Sequence, residues 1–169
     1  IGKTSQDEFG FGGFSTNTFN IPKNPFDIER SCGGSSGGAA GFTRKTTFPH
    51  IALSESTGGS IVNPASFCGT IGLCPTYGLV SRYGLIDYAN SLDKIGVISK
   101  TIKDSSLMLD VISGYDKKDS TSLNGSIKKN SSIKKIAVIK ESLDVDEKIK
   151  SLVLEKLKDY DYELISLPL

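Results

Sequence analysis

Residues Gly33–Gly41 read GGSSGGAAG, and residues Ser54–Ile61 read SESTGGSI. How these two glycine–serine clusters are understood decides the fold. Runs of Gly and Ser are ordinarily flexible linkers. Here the first runs straight into small, helix-compatible residues, and the second follows the apolar stretch His50–Leu53 (HIAL), so both abut ordered elements. A glycine pair immediately before a serine leaves consecutive backbone N–H groups unshielded by side chains, an arrangement able to hold an oxyanion. A serine nucleophile needs an adjacent base. With His50 the one histidine, a Ser-His-Asp triad is poorly supported. The remaining option is a lysine base, relayed through a second hydroxyl.

Other short patterns carry less. Gly33–Gly37 fits G-x-S-x-G, but the nucleophile elbow wants an apolar strand before it and an acid, then a histidine, after it. The preceding residues are Asp27–Cys32 (DIERSC), and no carboxylate stands between the cluster and His50. Gly2-Lys3-Thr4 is only the tail of a phosphate-binding loop. Ser91/Lys94, Ser126/Lys129 and Ser131/Lys134 match S-x-x-K by chance in segments rich in both residues. Cys32, Cys68 and Cys74 form no C-x-x-C pair. With His50, Cys68 and Cys74 could supply three metal ligands on count alone, but the expectation is small residues packed in a reducing compartment, and no metal.

Outward from the clusters, composition divides the chain. Sixteen of the 18 glycines but only 15 of the 39 charged residues lie within 1–100, whereas 101–169 hold 12 basic and 12 acidic residues. The first part reads as a loop scaffold where backbone approaches a ligand. The second reads as ordinary surface helices and strands. A net charge of +1 over 169 residues excludes a generally basic nucleic-acid binder and an acidic tail. No apolar run approaches the roughly 18 residues of a membrane span, and nothing at the start resembles a leader peptide, so a cytoplasmic protein without a membrane partner is expected. The length suits about one domain.

Local patterns predict the later elements. Thr101 with Asp104 starts a helix by a capping box; Leu107, Met108, Val111 and Ile112 form its stripe, and Gly114 its end. Asp116–Lys135 is polar and reads as a surface loop or linker. Ile136–Ile139 (IAVI) predicts a buried strand. Asp144 is placed to cap a helix with Glu147 at its third position, and Ile149, Leu152, Val153, Leu157 and Tyr160 supply its apolar stripe. Tyr162–Leu167 (YELISL) predicts another strand before Pro168. Strand, helix and strand in this order make a βαβ unit, which favours parallel pairing.

Gly33–Ala40 (GGSSGGAA) followed by Thr57–Phe67 (TGGSIVNPASF) resembles the amidase signature family. Within it, Gly2–Phe9 (GKTSQDEF), Asn24–Arg30 (NPFDIER), Gly72–Gly84 (GLCPTYGLVSRYG) and Ser91–Gly96 (SLDKIG) are similar to the glutamine-hydrolysing subunits of tRNA-dependent amidotransferases. The resemblance runs from residue 2 to about 122 and continues more loosely through 136–167. It implies an α/β fold, a mixed β-sheet core flanked by helices, incomplete here. On this reading residues 1–169 are the central part of one amidase domain: 1–115 the catalytic signature region, 116–135 a surface loop or linker, 136–169 a βαβ continuation. The chain reads as a piece of something longer.

The resemblance also implies a Ser–cis-Ser–Lys mechanism. Ser60 matches the nucleophile that forms the acyl ester, and Ser35 the proton-relaying serine that follows a cis peptide, with the two hydroxyls within hydrogen-bond reach. Ser36 matches a supporting hydroxyl. The N–H groups of Thr57, Gly58, Gly59 and Ser60 match the oxyanion hole. The family's lysine lies several tens of residues before the first cluster. No position here matches it, Lys3 and Lys23 belonging to other motifs, so the 169 residues alone are expected to be inactive. No cofactor is implied for the glutamine-hydrolysing component. ATP and magnesium are implied for a partner, the B and C subunits being the expected partners, with glutamine as substrate and aminoacyl-tRNA, Glu-tRNA(Gln) or Asp-tRNA(Asn), reached through the complex. A stand-alone amidase acting on another carboxamide and an inactive scaffold are the alternatives.

Three departures from the family pattern stand out. Ser56, beside Glu55, replaces a frequent aspartate, and Val62 replaces a frequent arginine that in some members holds a substrate carboxylate. One extra residue also separates the clusters, between Phe42 and Pro49. Arg82 and Tyr83 are read as packing on a loop carboxylate ahead of touching substrate, Asp87 and Asp93 as turn and cap residues, and Phe9, Phe11, Phe14 and Phe19 as core or subunit contacts.

Overall fold

A computed structural model describes residues 2–124 and 135–167. The chain divides into two compact units, Ile1–Ser126 and Ile127–Leu169.

In the first unit the elements follow in the order α1 (Gly37–Lys45), β1 (Ile51–Ser56), α2 (Val62–Cys68), β2 (Ile71–Leu73), β3 (Lys94–Ser99) and α3 (Ile102–Ile112). The three strands form one antiparallel sheet in the order β1-β3-β2. Strand β3 is central because Val97 and Ile98 bury fully there while Gly96 lets Pro75 and the Leu73 carbonyl approach closely. Its register with β1 runs from Ile51↔Ser99 to Ser56↔Lys94. Helix α1 packs on α2, β1 and β3, and Ala39, Ala40, Ala52, Ile61, Cys68, Ile98 and Cys32 close the core between them. Alanines suit this face, since small side chains let helix and sheet backbones approach. Helix α2 ends at Gly69, whose φ of +61° satisfies the left-handed cap, with the Thr70 N–H bonded back to the Ala65 carbonyl at 2.9 Å.

Helix α3 starts as its capping box predicts: the Thr101 hydroxyl accepts from the Asp104 N–H at 3.1 Å. The cap at its other end is Ser113, in an extended conformation, with Gly114 one residue beyond. The predicted stripe is only half right. Ser105 is the buried residue, its hydroxyl 2.7 Å from that of Ser99. This close approach of α3 to β3 turns Met108 and Ile112 partly inward and leaves Leu107 and Val111 exposed. The aromatic group near the start is not core either: Phe9, Phe11, Phe14 and Phe19 are all exposed, Phe11 near Tyr88 and Phe14 edge-on to Phe67.

The second unit contains β4 (Ile136–Ile139), α4 (Glu147–Leu157) and β5 (Tyr162–Ile165). Strands β4 and β5 pair in parallel, from Ile136↔Tyr162 to Ile139↔Ile165, so the βαβ unit is present. Two details differ from expectation. The helix cap is Asp146, whose carboxylate accepts from the Lys148 N–H at 2.9 Å, because a short 3-10 turn over Lys140–Leu143 occupies the chain ahead of Asp144. Strand β4 alternates half-buried with exposed positions, and Ile149, Leu152, Val153 and Tyr160 are exposed, since two strands offer too little surface to cover a helix stripe. Of the predicted loop at 116–135, residues 116–124 form turns; 125–134, including the Ser126/Lys129 and Ser131/Lys134 matches, lie outside the described residues. Among the described residues no helix is long and apolar enough to cross a membrane.

Candidate active site

The first cluster forms a loop leading into α1, and its glycines are there for clearance. A Cβ at Gly34 would strike the Asp7 carboxylate and the backbone of Gly13–Phe14, and one at Gly37 would strike Ser15. What fills that space holds the loop. Asp7, fully buried, accepts from the Ser15 N–H at 2.9 Å, and its own N–H donates to the Ser35 carbonyl at 3.0 Å. The Ser15 hydroxyl lies 2.9 Å from the Gly33 carbonyl and 3.2 Å from that of Ser35, and accepts from the Gly37 N–H at 3.0 Å. In this loop the Gly34–Ser35 peptide is cis, as the resemblance implied.

The second cluster spans the end of β1 and the start of α2, which brings it beside the first. Two hydrogen bonds join them: Ser36 N–H to the Ser60 carbonyl at 3.3 Å, and Gly34 N–H to Asn63 Oδ1 at 3.0 Å. Ser35 and Ser36 are buried and Ser60 half-buried. One expectation fails. No hydrogen bond links the Ser35 and Ser60 hydroxyls; the clusters meet through backbone and through Asn63 instead. The Ser36 hydroxyl is buried with no hydrogen-bond partner among the described residues, and no lysine there bonds to Ser35 or Ser36.

The N–H groups of Thr57, Gly58, Gly59 and Ser60 likewise donate to no acceptor among the described residues. Around Gly58 and Gly59 the space is open: a Cβ at either would meet nothing within 4 Å. Thr57 is tied down by its side chain, Oγ1 lying 2.5 Å from Asp93 Oδ1 and 3.1 Å from Glu55 Oε1. Burial raises the Glu55 carboxyl above its ordinary range, the nearby Asp93 charge adding to it, against opposing contributions from the Thr57 hydrogen bond and Lys94. Gly10 faces this carboxylate and the Ser35 hydroxyl at once, a Cβ there lying 3.6 and 3.7 Å from their oxygens.

Of the other residues weighed in the sequence, Asp93 is the turn residue expected: fully buried, it accepts from the Tyr88 and Ala89 N–H groups. Arg82 is buried on the Tyr77 ring, donates to Asn90 and Thr121, and lies 4.0 Å from Asp119. Asp119 is itself held below the usual carboxylate range, chiefly by the Arg82 backbone N–H. His50 sits at the head of β1 with Nδ1 2.9 Å from the Thr43 hydroxyl, its ring packed on Phe42 and its pKa lowered first by burial, then by Lys100. Cys32 and Cys68 are both buried, and the hydrogen bond with the Cys32 thiol, then burial, pushes the Cys68 thiol up. Among the described residues no three His, Cys, Asp or Glu side chains could hold a metal ion. Ser56 is buried at the end of β1, and Val62 points outward from the first turn of α2. Asp7, Ser15 and Asn63 were missed as site residues. Asp7 and Asn63 lie inside quoted motifs, GKTSQDEF and TGGSIVNP, but no local pattern marks them as loop anchors.

A strand-to-helix turn ending in a serine, its N–H groups free among the described residues, is locked here against a second glycine–serine loop. The Amidase family model matches residues 1–163, and the chain belongs to that family. Among curated relatives it is 44% identical over 182 residues to the A subunit of the glutamyl-tRNA(Gln) amidotransferase of Natranaerobius thermophilus, covering 99% of this chain and 37% of the relative. It is 54% identical over 125 residues to the corresponding protein of Trichodesmium erythraeum, 73% of this chain and 26% of the relative. Among solved structures, the corresponding protein from Thermotoga maritima superposes with a TM-score of 0.89 at 38% identity, over 99% of this chain and 40% of that one. A bacterial aryl acylamidase of the amidase signature family gives 0.82 at 27% identity, over 99% of this chain and 37% of that one. The chain thus spans about a third of the length of its curated relatives.

Proposed function

We propose that this chain is part of the ammonia-supplying subunit of a tRNA-dependent amidotransferase, hydrolysing glutamine to glutamate. The observation that carries the reading is the turn of four N–H groups, Thr57 to Ser60, unpaired among the described residues and locked by the Ser36–Ser60 bond against the buried Ser35. The relatives' names narrow the substrate. Ser60 Oγ attacks the side-chain amide carbon and its proton passes to Ser35, then to a lysine from outside these residues, next to the orphaned Ser36 hydroxyl. The carbonyl oxygen becomes an oxyanion facing the free N–H groups. Collapse expels ammonia, with the relayed proton, and leaves a glutamyl ester on Ser60, which water hydrolyses. The ammonia passes to partner subunits, the expected B and C subunits, one of which uses ATP and magnesium to activate Glu-tRNA(Gln) or Asp-tRNA(Asn).

The test is ammonia release from glutamine by the full-length subunit in its complex. Ser60→Ala abolishes turnover while leaving assembly intact. Release equally fast from unrelated carboxamides without the partner would favour a stand-alone amidase, and no release from any carboxamide a scaffold.

A further inference from the structure

The oxyanion turn poses a mechanical problem. Donors stabilise a developing charge only if they are fixed before the reaction, yet Gly58 and Gly59 have no side chains and open space around them. The downstream end is well anchored. Ile61 is fully buried, the Asn63 N–H donates to the Gly59 carbonyl at 2.8 Å, and the Ser36 N–H donates to the Ser60 carbonyl. At the upstream end β1 stops at Ser56, and neither backbone group of Thr57 takes part in a hydrogen bond among the described residues. Its side chain is what holds it.

The sheet supplies the partner. Since Ser56 pairs with Lys94 across β1 and β3, the next position along places Asp93 opposite Thr57. Asp93 is fixed in turn, because its carboxylate accepts the Tyr88 and Ala89 N–H groups at 2.7 to 3.1 Å and has no exposure to solvent. Thr57 Oγ1 has a single proton and two carboxyl neighbours. Both accept from it, Asp93 Oδ1 at 2.5 Å and Glu55 Oε1 at 3.1 Å, so Asp93 is the nearer arm of the clamp and Glu55 the farther one.

We propose that Asp93 is a positioning residue for amide hydrolysis, acting through the Thr57 hydroxyl, with Glu55 as the second carboxyl of the clamp, to aim the N–H groups of residues 57–60 at the reacting oxygen. The inference rests on the proposed function above and adds to it a residue 36 positions from Thr57.

The experiment compares Thr57→Val, Thr57→Ser, Asp93→Asn, the Thr57→Val/Asp93→Asn double variant and Ser60→Ala in the full-length subunit within its complex, reading glutamine hydrolysis. Thr57→Val, nearly isosteric, and Asp93→Asn each lower kcat by roughly 10- to 100-fold with KM within about three-fold, since a misaimed donor weakens the transition state and not the bound substrate. Thr57→Ser regains most of the loss. The double variant costs no more than the worse single one, as members of one unit do. A merely structural Asp93 would lower the melting temperature without this split, and Thr57→Val would then keep its kcat. Should Asp93→Asn fail to fold, Thr57→Val against Thr57→Ser decides alone. Wild-type kcat in a folded, assembled Thr57→Val overturns the inference. If Ser60→Ala also keeps turnover, it is the proposed function that has failed.

Discussion

Gly59 borders the open space in front of the free N–H groups. A Cβ placed there touches nothing within 4 Å, so Gly59→Val brings no steric clash with the protein. It does put a branched side chain at a φ of +157° into the open space in front of the free N–H groups, where the amide oxygen must sit. The variant should pay a local backbone strain, since a β-branched residue rarely adopts this φ, and lose roughly 10²–10³ in rate, the worth of one oxyanion donor. Glutamine turnover set beside a thermal melt checks this; undiminished turnover would remove residues 57–60 from the site. Glu55 offers a second test at this scale. Its carboxyl is raised above 4.5 in the fold, so it stabilises fully below that pH, and the contribution drains away as pH rises through the folded value. Asp93, Lys94 and Thr57 are the groups it faces. Glu55→Gln keeps an oxygen to accept from Thr57 Oγ1 but cannot ionise, so its melting temperature should gain on wild type as pH rises above 4.5 and level off once the folded carboxyl has ionised. A constant offset would mean that folding leaves the Glu55 carboxyl where it ordinarily titrates. Ser35, Ser36 and Ser60 can be singled out in the sequence because each belongs to a compact local pattern. Asp7, Asn63 and the Asp93–Thr57 contact cannot, because each acquires its role only when distant segments meet.

At the scale of the element, legibility tracked periodicity. The capping box at Thr101 and the 3.6-residue repeat behind it gave α3, and the β-branched run IAVI gave β4. Strand β2, three residues long with a glycine at its middle, carries no such signal. Helix α4 was placed correctly, but two aspartates two residues apart compete for its cap, and only the 3-10 turn at Lys140–Leu143 decides for Asp146. The face of α3 was misjudged for a related reason. A hydrophobic stripe describes a helix alone, while the buried Ser99–Ser105 hydroxyl pair, 2.7 Å apart, fixes which side meets the sheet. The cap itself can be weighed. Thr101 accepts one otherwise unpaired N–H and also donates to the Asp104 carboxylate at 2.8 Å. Thr101→Ala should therefore cost about 1 kcal/mol in a denaturant titration of the full-length subunit, with no change in glutamine turnover.

At the scale of the whole molecule, both glycine–serine loops lie in the unit Ile1–Ser126 and the βαβ unit in Ile127–Leu169, while α3, from the charged part of the sequence, belongs to the first unit. The described residues contain both serines and the free N–H groups, yet the Ser36 hydroxyl has no partner there. His50 stands at the head of β1, the length of the strand away from the turn at Thr57–Ser60. The 169 residues by themselves should therefore release no ammonia from glutamine, and the complete subunit with its partners should. Turnover by the isolated chain that vanishes in Ser60→Ala would place another base at the site and retire the lysine relay.

The antiparallel register of β1 on β3 has a further consequence, which concerns length. Thr57 meets Asp93 because Ser56 pairs with Lys94, not because of what the chain does on its way between them. Residues added at Gly84, exposed and with open space where a Cβ would stand, lengthen the excursion and leave the pairing alone. One residue lost between Lys94 and Ser99 turns every later side chain of that strand to its opposite face, forcing the buried Val97, Ile98 and Ser99 into surroundings packed for their neighbours. This stretch of protein thus has one span in which insertions are neutral and, a few residues on, another in which a single deletion is ruinous.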